Sequence, residues 1–252
     1  MKPIPILQPN ARLPIGRGLC ALAVMTKAPL AGKVKTRLVP PLTAEEAAEL
    51  NKNFLRDTAR TIMQAIAGQG ARGVAVYTPV GAEFAYAGVL PKCFRFLPQR
   101  GKTFGTRLLL AASDLFRCGF ASLCLIDSDS PTIPASSFSE AIRQLKHSGD
   151  RVVLGPCEDG GYYLIGLKAL HRELFQRIDW STGHVFEQTL QRAAEAGLEV
   201  KILPQGYDVD DAAGLHRLCD ELLRKRANDD IAPHTRKFLK ALRPEIRPSA
   251  PH

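Results

Sequence analysis

Long apolar runs are missing from this 252-residue chain. The longest, Leu19–Met25 and Cys118–Ile126, are of strand length, well short of the roughly 20 residues that cross a bilayer as a helix. Paired cysteines are missing too. The six stand apart at 20, 93, 118, 124, 157 and 219, with no Cys-x-x-Cys, which excludes a zinc ribbon or a thioredoxin-like motif. Most lie in apolar stretches and read as small core residues, in keeping with a reducing, cytoplasmic setting. Nothing resembles an export leader: prolines precede Arg17, and the apolar run that follows stops at Thr26 and Lys27. There is one tryptophan, no internal repeat and no low-complexity segment. With 45% apolar and 23% charged residues, the composition excludes a mainly disordered chain, a collagen and a disulfide-stapled scaffold.

The formal net charge of +9 is unevenly placed. Residues 1–18 hold three bases and no acid, residues 224–252 hold eight bases against three acids, and the middle holds 23 against 22. A basic tail can touch nucleic acid or anionic lipid; the plainer reading is a solvated, frayed terminus. The core shows no basic stripe with interleaved aromatics, so no nucleic-acid partner is expected. Peripheral membrane contact through the tail stays open.

Strand and helix patterns alternate along the chain. Strands are expected at 19–26, 73–78, 94–97, 121–126, 151–156, 162–167 and 198–203. Helices are expected at 43–67, 104–117, 135–147, 183–196 and 211–226. Thr43 with Glu46 has the spacing of a capping box. This βα alternation predicts a single-domain α/β/α sandwich with a mostly parallel central sheet, residues 19–226. A short extension, 1–18, precedes it, and a basic, partly helical tail, 227–252, follows. In such sheets ligands sit beyond the carboxyl ends of the strands, so the loops after strands are where chemistry is sought.

The loop after the first strand reads Lys27-Ala28-Pro29-Leu30-Ala31-Gly32-Lys33-Val34-Lys35-Thr36-Arg37-Leu38. Its cations have no counter-charge in the loop. Lys27, Lys33 and Lys35 as point charges, Arg37 as a fork and Gly32 as a place of close backbone approach suit a di- or triphosphate. A Walker loop is excluded, because Lys27 stands where its first glycine belongs and Val34 follows Lys33. The central strand runs into Asp127-Ser128-Asp129-Ser130-Pro131. Asp127 and Asp129 share a side of an extended chain and suit Mg²⁺ or Mn²⁺, or else one caps a turn. Asp208, Asp210 and Asp211 follow the last strand; Asp210 or Asp211 can cap the next helix, and Asp208 is freer to reach a metal.

Together these motifs resemble the nucleotide-diphospho-sugar transferase superfamily, of GT-A type fold. The nearer resemblance is to bacterial glycosyltransferase-like proteins, some named for arsenosugar biosynthesis. The quoted pieces are the loop Lys27–Leu38, Ser128-Asp129-Ser130-Pro131, Glu158-Asp159-Gly160-Gly161-Tyr162-Tyr163-Leu164-Ile165-Gly166, Trp180-Ser181-Thr182 and Asp208-Val209-Asp210. The basic loop is also similar to that of the 2-phospho-lactate guanylyltransferases. The sequence departs from the family pattern at Asp127, often glycine there, at Ser130, usually cysteine, and at Thr132, usually an acid. An insertion also interrupts the segment Gln99–Arg107.

The resemblance implies a metal-dependent glycosyltransferase taking a nucleotide or nucleotide-sugar donor and a small-molecule acceptor. Mg²⁺ or Mn²⁺ would sit on Asp129, with Asp208, Asp127 and Asp210 as further candidates. The turn Glu158–Gly161 would meet the acceptor and supply the acid/base. Adjacent acids in an extended turn face opposite ways, and the resemblance favours Asp159 over Glu158. Gly160 and Gly161 would leave room for a sugar. Gly105 and Arg107 would help hold the nucleotide, or simply cap a helix. Trp180 would cover the acceptor, or simply pack. Ser181 or Thr182 would cap the helix at 183–196. A nucleotidyltransferase releasing pyrophosphate is the alternative reading, and a non-catalytic binder localised by the basic tail is a third.

Overall fold

The computed structural model describes residues 5–9, 18–224 and 228–242. Seven strands form one sheet in the order β3-β2-β1-β4-β6-β5-β7. They are β1 (Cys20–Lys27), β2 (Ala71–Thr78), β3 (Arg95–Pro98), β4 (Ser122–Ile126), β5 (Arg151–Pro156), β6 (Tyr162–Leu167) and β7 (Glu199–Ile202). All neighbours run parallel except β6, which is antiparallel to both β4 and β5. The expected α/β/α sandwich is therefore observed, with boundaries within a residue or two of those read from the sequence, except that the helix expected to reach 226 ends at Leu223.

Helices α1 (Ala44–Ile66), α2 (Phe104–Arg117), α3 (Ala135–Lys146), α4 (Val185–Glu195), α5 (Ala212–Leu223) and α6 (Pro233–Ala241) complete the fold. Along β1, side chains alternate between two cores because strand residues point to opposite faces. Leu22 and Val24 join Leu55 and Ile62 of α1 and Phe138 and Ile142 of α3. Ala21 and Ala23 join Leu108 and Leu115 of α2 on the other face. Thr43 opens α1 with the capping box expected of it: its hydroxyl accepts from Glu46 N–H while the Glu46 carboxylate accepts from Thr43 N–H. Among the described residues no helix is long and apolar enough to cross a membrane.

Both ends depart from the free extensions expected. Leu7 is buried, and residues 5–7 exchange backbone hydrogen bonds with Phe96, lengthening the sheet at its β3 edge. Helix α6 is not a detached tail. Leu239 and Leu242 pack with Leu50 and Phe54 of α1 and with Leu215 and Leu218 of α5 in a third apolar cluster. The carboxylate of buried Asp57 on α1 accepts from the N–H groups of His234 (3.0 Å) and Thr235 (2.7 Å) at the start of α6. Two otherwise unpaired helix-terminal donors and the positive end of the dipole are thereby met by one buried anion. The expectations for residues 1–4, 10–17, 225–227 and 243–252 lie outside the described residues.

Hydrogen bonds to a charged group contribute about 1.5–3 kcal/mol each. Asp57→Ala is therefore expected to lower the stability of the whole chain by about 2 kcal/mol in urea unfolding and to make residues 228–242 the first site of limited proteolysis. Unchanged stability would show that α6 does not depend on this cap.

Candidate active site

The strand order reverses at β1: the chain builds β2 and β3 on one side, then crosses to place β4 on the other. Such a switch point leaves a crevice at the carboxyl ends of the two strands, here the exits of β1 at Lys27 and of β4 at Ile126. Two further loops come to the same edge. Because β6 is antiparallel, the turn joining it to β5 lies beside the exit of β4, with Pro156 opposite Tyr162 and Ile126 opposite Leu164. Because β7 is parallel to β5, its exit follows at residues 203–210. Backbone hydrogen bonds tie these loops together: Val209 N–H to Asp129 O (3.0 Å), Asp127 N–H to Tyr163 O (3.0 Å) and Glu158 N–H to Gly206 O (3.1 Å).

Lys35 stands at the centre. Its ammonium meets Asp129 Oδ1 at 2.7 Å and Asp210 Oδ1 at 3.0 Å, and it donates to the Val209 carbonyl at 2.7 Å. An ammonium has three donors, and all three are committed. The side chain is only 4% exposed. Burial alone would pull its pKa down, but Asp129 and Asp210 more than offset that and hold it above the ordinary lysine value. The expectation that Lys35 grips phosphate is therefore corrected: it is an internal cation that joins the basic loop to both acidic loops. Its backbone is left-handed (φ 49°), a conformation that a residue with a Cβ adopts only under constraint.

Arg37 also pairs with Asp210, yet its side chain is 70% exposed, which leaves most of its five donors for a ligand. Burial would raise the Asp210 carboxyl, but Lys35 and Arg37 hold it below the usual range. The remaining carboxylates lack such partners. Burial, then Asp129 and Asp208, push Asp127 well up, although the Ser130 hydroxyl donates to its Oδ2 at 2.6 Å. Burial, then Asp159, Asp210 and Asp129, raise Asp208 to about 6. Among the described residues no three His, Cys, Asp or Glu side chains stand ready to hold a metal ion. The donor set still suits one: hard oxygens that repel each other are what a divalent cation relieves.

Two cavities flank this cluster. One, of about 230 Å³, is lined by Lys27, Lys33, Lys35, Arg37 and Asn51 of α1. The other, of about 470 Å³, is lined by Asp127, Asp159, Asp208, Gly161 and Trp180 among others. Arg37, Asp129 and Asp210 belong to both. Asp159 faces the larger cavity, and its Oδ1 accepts from Gly161 N–H at 2.9 Å.

Other expectations are corrected. Glu158 turns to α5, where Arg217 holds both its oxygens at 2.5 and 2.8 Å while stacking 3.8 Å over the Tyr207 ring. Gly160 leaves no space for a sugar: at φ +84°, a Cβ there would lie 2.0 Å from the Gly183 carbonyl oxygen. Gly105 makes room for Trp180, whose Nε1 would lie 2.2 Å from a Cβ at that position. Gly32 sits in a left-handed turn (φ +69°) and lines neither cavity, and Arg107 bonds back to the Gly101 carbonyl at 3.3 Å. Asp211, not Asp210, caps α5. Thr182 bonds within the turn before α4, between the Asp179 carbonyl and His184 N–H, instead of capping the helix directly.

Sequence reasoning missed Asn51 and Phe104. Asn51 is 4% exposed, borders the smaller cavity and has an Oδ1 without a partner; an amide on the inward stripe of an amphipathic helix was the available signal. Phe104 is 52% exposed and lines the larger cavity; nothing in its helix pattern distinguishes it.

Residues 61–182 match a family described as an uncharacterized protein conserved in bacteria (DUF2064). A crystal structure from Desulfovibrio desulfuricans G20, described provisionally as a nucleotide-diphospho-sugar transferase, superposes with a TM-score of 0.77. It is 29% identical to this chain, over 88% of this chain and 94% of that one. The CMP:2-keto-3-deoxy-manno-octonic acid synthetase complexed with CTP gives 0.51 at 10% identity, over 80% of this chain and 97% of that one. A cytidylyltransferase from Leptospira borgpetersenii serovar Hardjo-bovis (strain JB197) gives 0.51 at 10% identity, over 94% and 100%. The last two speak to the fold alone. No match is found among curated proteins.

Asp208 supplies a pH test. Its carboxyl is raised in the folded state to about 6, whereas an unfolded aspartate titrates near about 3.9. The fold therefore loses stability as pH rises between those values, and the loss persists above them. Asp208→Asn is expected to raise Tm by a few degrees at pH 8 and to leave it unchanged at pH 3. An equal Tm at pH 8 would contradict the crowding of charge at this position.

Proposed function

We propose that this transferase, built on the fold of the nucleotide-diphospho-sugar transferases, moves a sugar from a nucleotide-diphosphate donor to the hydroxyl of a small-molecule acceptor. One observation carries the reading: a cationic cavity and a carboxylate-lined cavity meet at a shared wall of Arg37, Asp129 and Asp210. Phosphate oxygens suit the first, because Lys27, Lys33 and the free donors of Arg37 offer charge-assisted hydrogen bonds. A hydroxyl nucleophile suits the second, because Asp159 faces it, accepts only from Gly161 N–H, and has no ion pair among the described residues.

In the reaction, the acceptor oxygen bonds to the anomeric carbon as the bond from that carbon to the diphosphate breaks. The electron pair leaves with the diphosphate, where Arg37, Lys27 and Lys33 stabilise it. The acceptor proton passes to the Asp159 carboxylate. Lys35 holds Asp129 and Asp210 in place throughout, so these carboxylates need no rearrangement. A divalent cation, Mg²⁺ or Mn²⁺, would be held by Asp129, Asp208 and Asp127 and would supply further neutralisation of the departing charge.

The alternative, nucleotidyl transfer with release of pyrophosphate, draws on the number of cations in the first loop. With Lys35 fully committed to protein acceptors, the loop offers three cations to a ligand, a better match to a diphosphate. A binder localised by a basic tail is not favoured. Arg236 of α6 is buried and paired with Asp229, and the helix is part of the core.

Incubation with a panel of nucleotide sugars is expected to release a nucleoside diphosphate. Release of pyrophosphate from a nucleoside triphosphate instead would establish the alternative. Arg37→Ala should weaken nucleoside diphosphate binding about tenfold, the equivalent of about 1.4 kcal/mol; equal affinity by calorimetry would remove phosphate from this loop. Asp129→Asn should abolish Mn²⁺-dependent turnover while circular dichroism stays native, and undiminished turnover would remove the metal from Asp129.

A further inference from the structure

The larger cavity is more apolar than its acidic rim suggests. Leu108, Leu125 and Ile165 form its floor, and more of its wall is apolar than polar. Above the floor stand three aromatic rings in edge-to-face contact: Phe104 against Trp180 with centroids 5.4 Å apart at 72°, and Tyr162 against Trp180 at 6.5 Å and 80°. Trp180 reaches this position only because residue 105 has no side chain. Phe104 begins α2 and is 52% exposed while lining this cavity. A wall of this kind, with a few polar groups at one end, is the ordinary form of a small-molecule site.

The charge of the polar end narrows the occupant. Asp127, Asp159 and Asp208 all border the cavity; of the first-loop cations Arg37 reaches it, at the wall shared with Asp129 and Asp210, while Lys27, Lys33 and Lys35 line the other cavity. A phosphate or carboxylate on the acceptor beside Asp159 would meet a carboxylate with no ion pair among the described residues. A neutral ring stacked on Trp180 and Phe104, with a hydroxyl directed at Asp159, meets complementary surfaces at both ends.

We propose that the acceptor is an uncharged alcohol whose body carries an aromatic or similarly flat apolar ring, held edge-to-face by Phe104, Tyr162 and Trp180. This rests on the sugar-transfer reading and goes beyond it by fixing the acceptor's chemistry. It also assigns Phe104 and Trp180 as specificity-determining residues.

The chain contains one tryptophan, so its intrinsic tryptophan fluorescence reports this cavity alone. The probes are phenyl β-D-glucoside, methyl β-D-glucoside and phenyl β-D-glucuronide, titrated against the full-length protein. The first pair differs only in the aglycone, a phenyl ring against a methyl group, and the glucuronide carries a carboxylate in place of the C6 hydroxymethyl group. Phenyl glucoside is expected to shift Trp180 emission saturably, with the methyl glucoside and the glucuronide each binding at least tenfold more weakly. Phe104→Ala, at an exposed position, should weaken phenyl glucoside about tenfold while changing the affinity for UDP and GDP, measured by calorimetry, less than twofold. Trp180→Phe, read by calorimetry because it removes the fluorophore, should act in the same direction and guards against a role peculiar to Phe104.

Equal binding of the phenyl and methyl glucosides, or of the glucuronide and the glucoside, would overturn the proposal. So would a tenfold loss of UDP or GDP affinity in Phe104→Ala, which would place the nucleobase against this wall. Failure of the underlying reading has another signature. If phenyl glucoside binds as expected but no nucleotide sugar yields a nucleoside diphosphate with any ring-bearing alcohol, sugar transfer falls and the acceptor role falls with it.

Discussion

A single buried cation organises this protein's crevice. Lys35 carries its charge to a place where its ammonium is nearly out of reach of water, held by two carboxylates and a carbonyl. An unpaired ammonium there would lose its proton or leave the site. The pairing therefore works in both directions: the aspartates keep the lysine charged, and the lysine keeps the basic loop against residues 129 and 210. Three segments more than 70 residues apart in sequence, after β1, β4 and β7, are fixed relative to one another by one side chain. The left-handed backbone at Lys35 and the backbone bond from Val209 to Asp129 are parts of the same clamp.

Around the clamp, charges are separated by sheet topology. The cationic cavity lies beside α1, on one face of the sheet, and the acidic cavity extends toward α2 and α4 on the other. The antiparallel course of β6 adds the acid: it turns the hairpin after β5 back to the carboxyl edge and sets Asp159 beside the exit of β4. The raised carboxyls of Asp127 and Asp208 show that this arrangement is not optimised for stability. Buried, mutually repelling acids are a common mark of sites kept for chemistry.

Much of this was legible in the sequence, because periodicity and capping are local. The apolar run Leu19–Thr26 and the Thr43–Glu46 box place their elements within a residue or two. The motif loops were found because strand exits are few and their charge is concentrated. What escaped is what depends on distant partners. Lys35 looks like any other cation of its loop until Asp210 arrives from 175 residues away. Glu158 and Asp159 are told apart by Arg217, on a helix that the turn's own sequence does not mention. Gly160 was read as space for a sugar and Gly105 as part of the nucleotide's hold, but the room at these positions belongs to Gly183 and Trp180. The tail's composition reads as solvated because its few apolar residues carry no hint of the groove between α1 and α5 that receives them.

Lys35→Met tests the clamp most directly, because it keeps most of the side chain's volume and removes its charge. Hydrogen exchange followed by mass spectrometry across residues 28–42 and 207–211 is the measurement. If Lys35 joins the basic and acidic loops, both segments should exchange faster together in the variant, while the β1 and β4 strands keep their wild-type protection. Unchanged exchange in either segment would mean that the loops are held without the cation, and the account of a site built around it would be wrong.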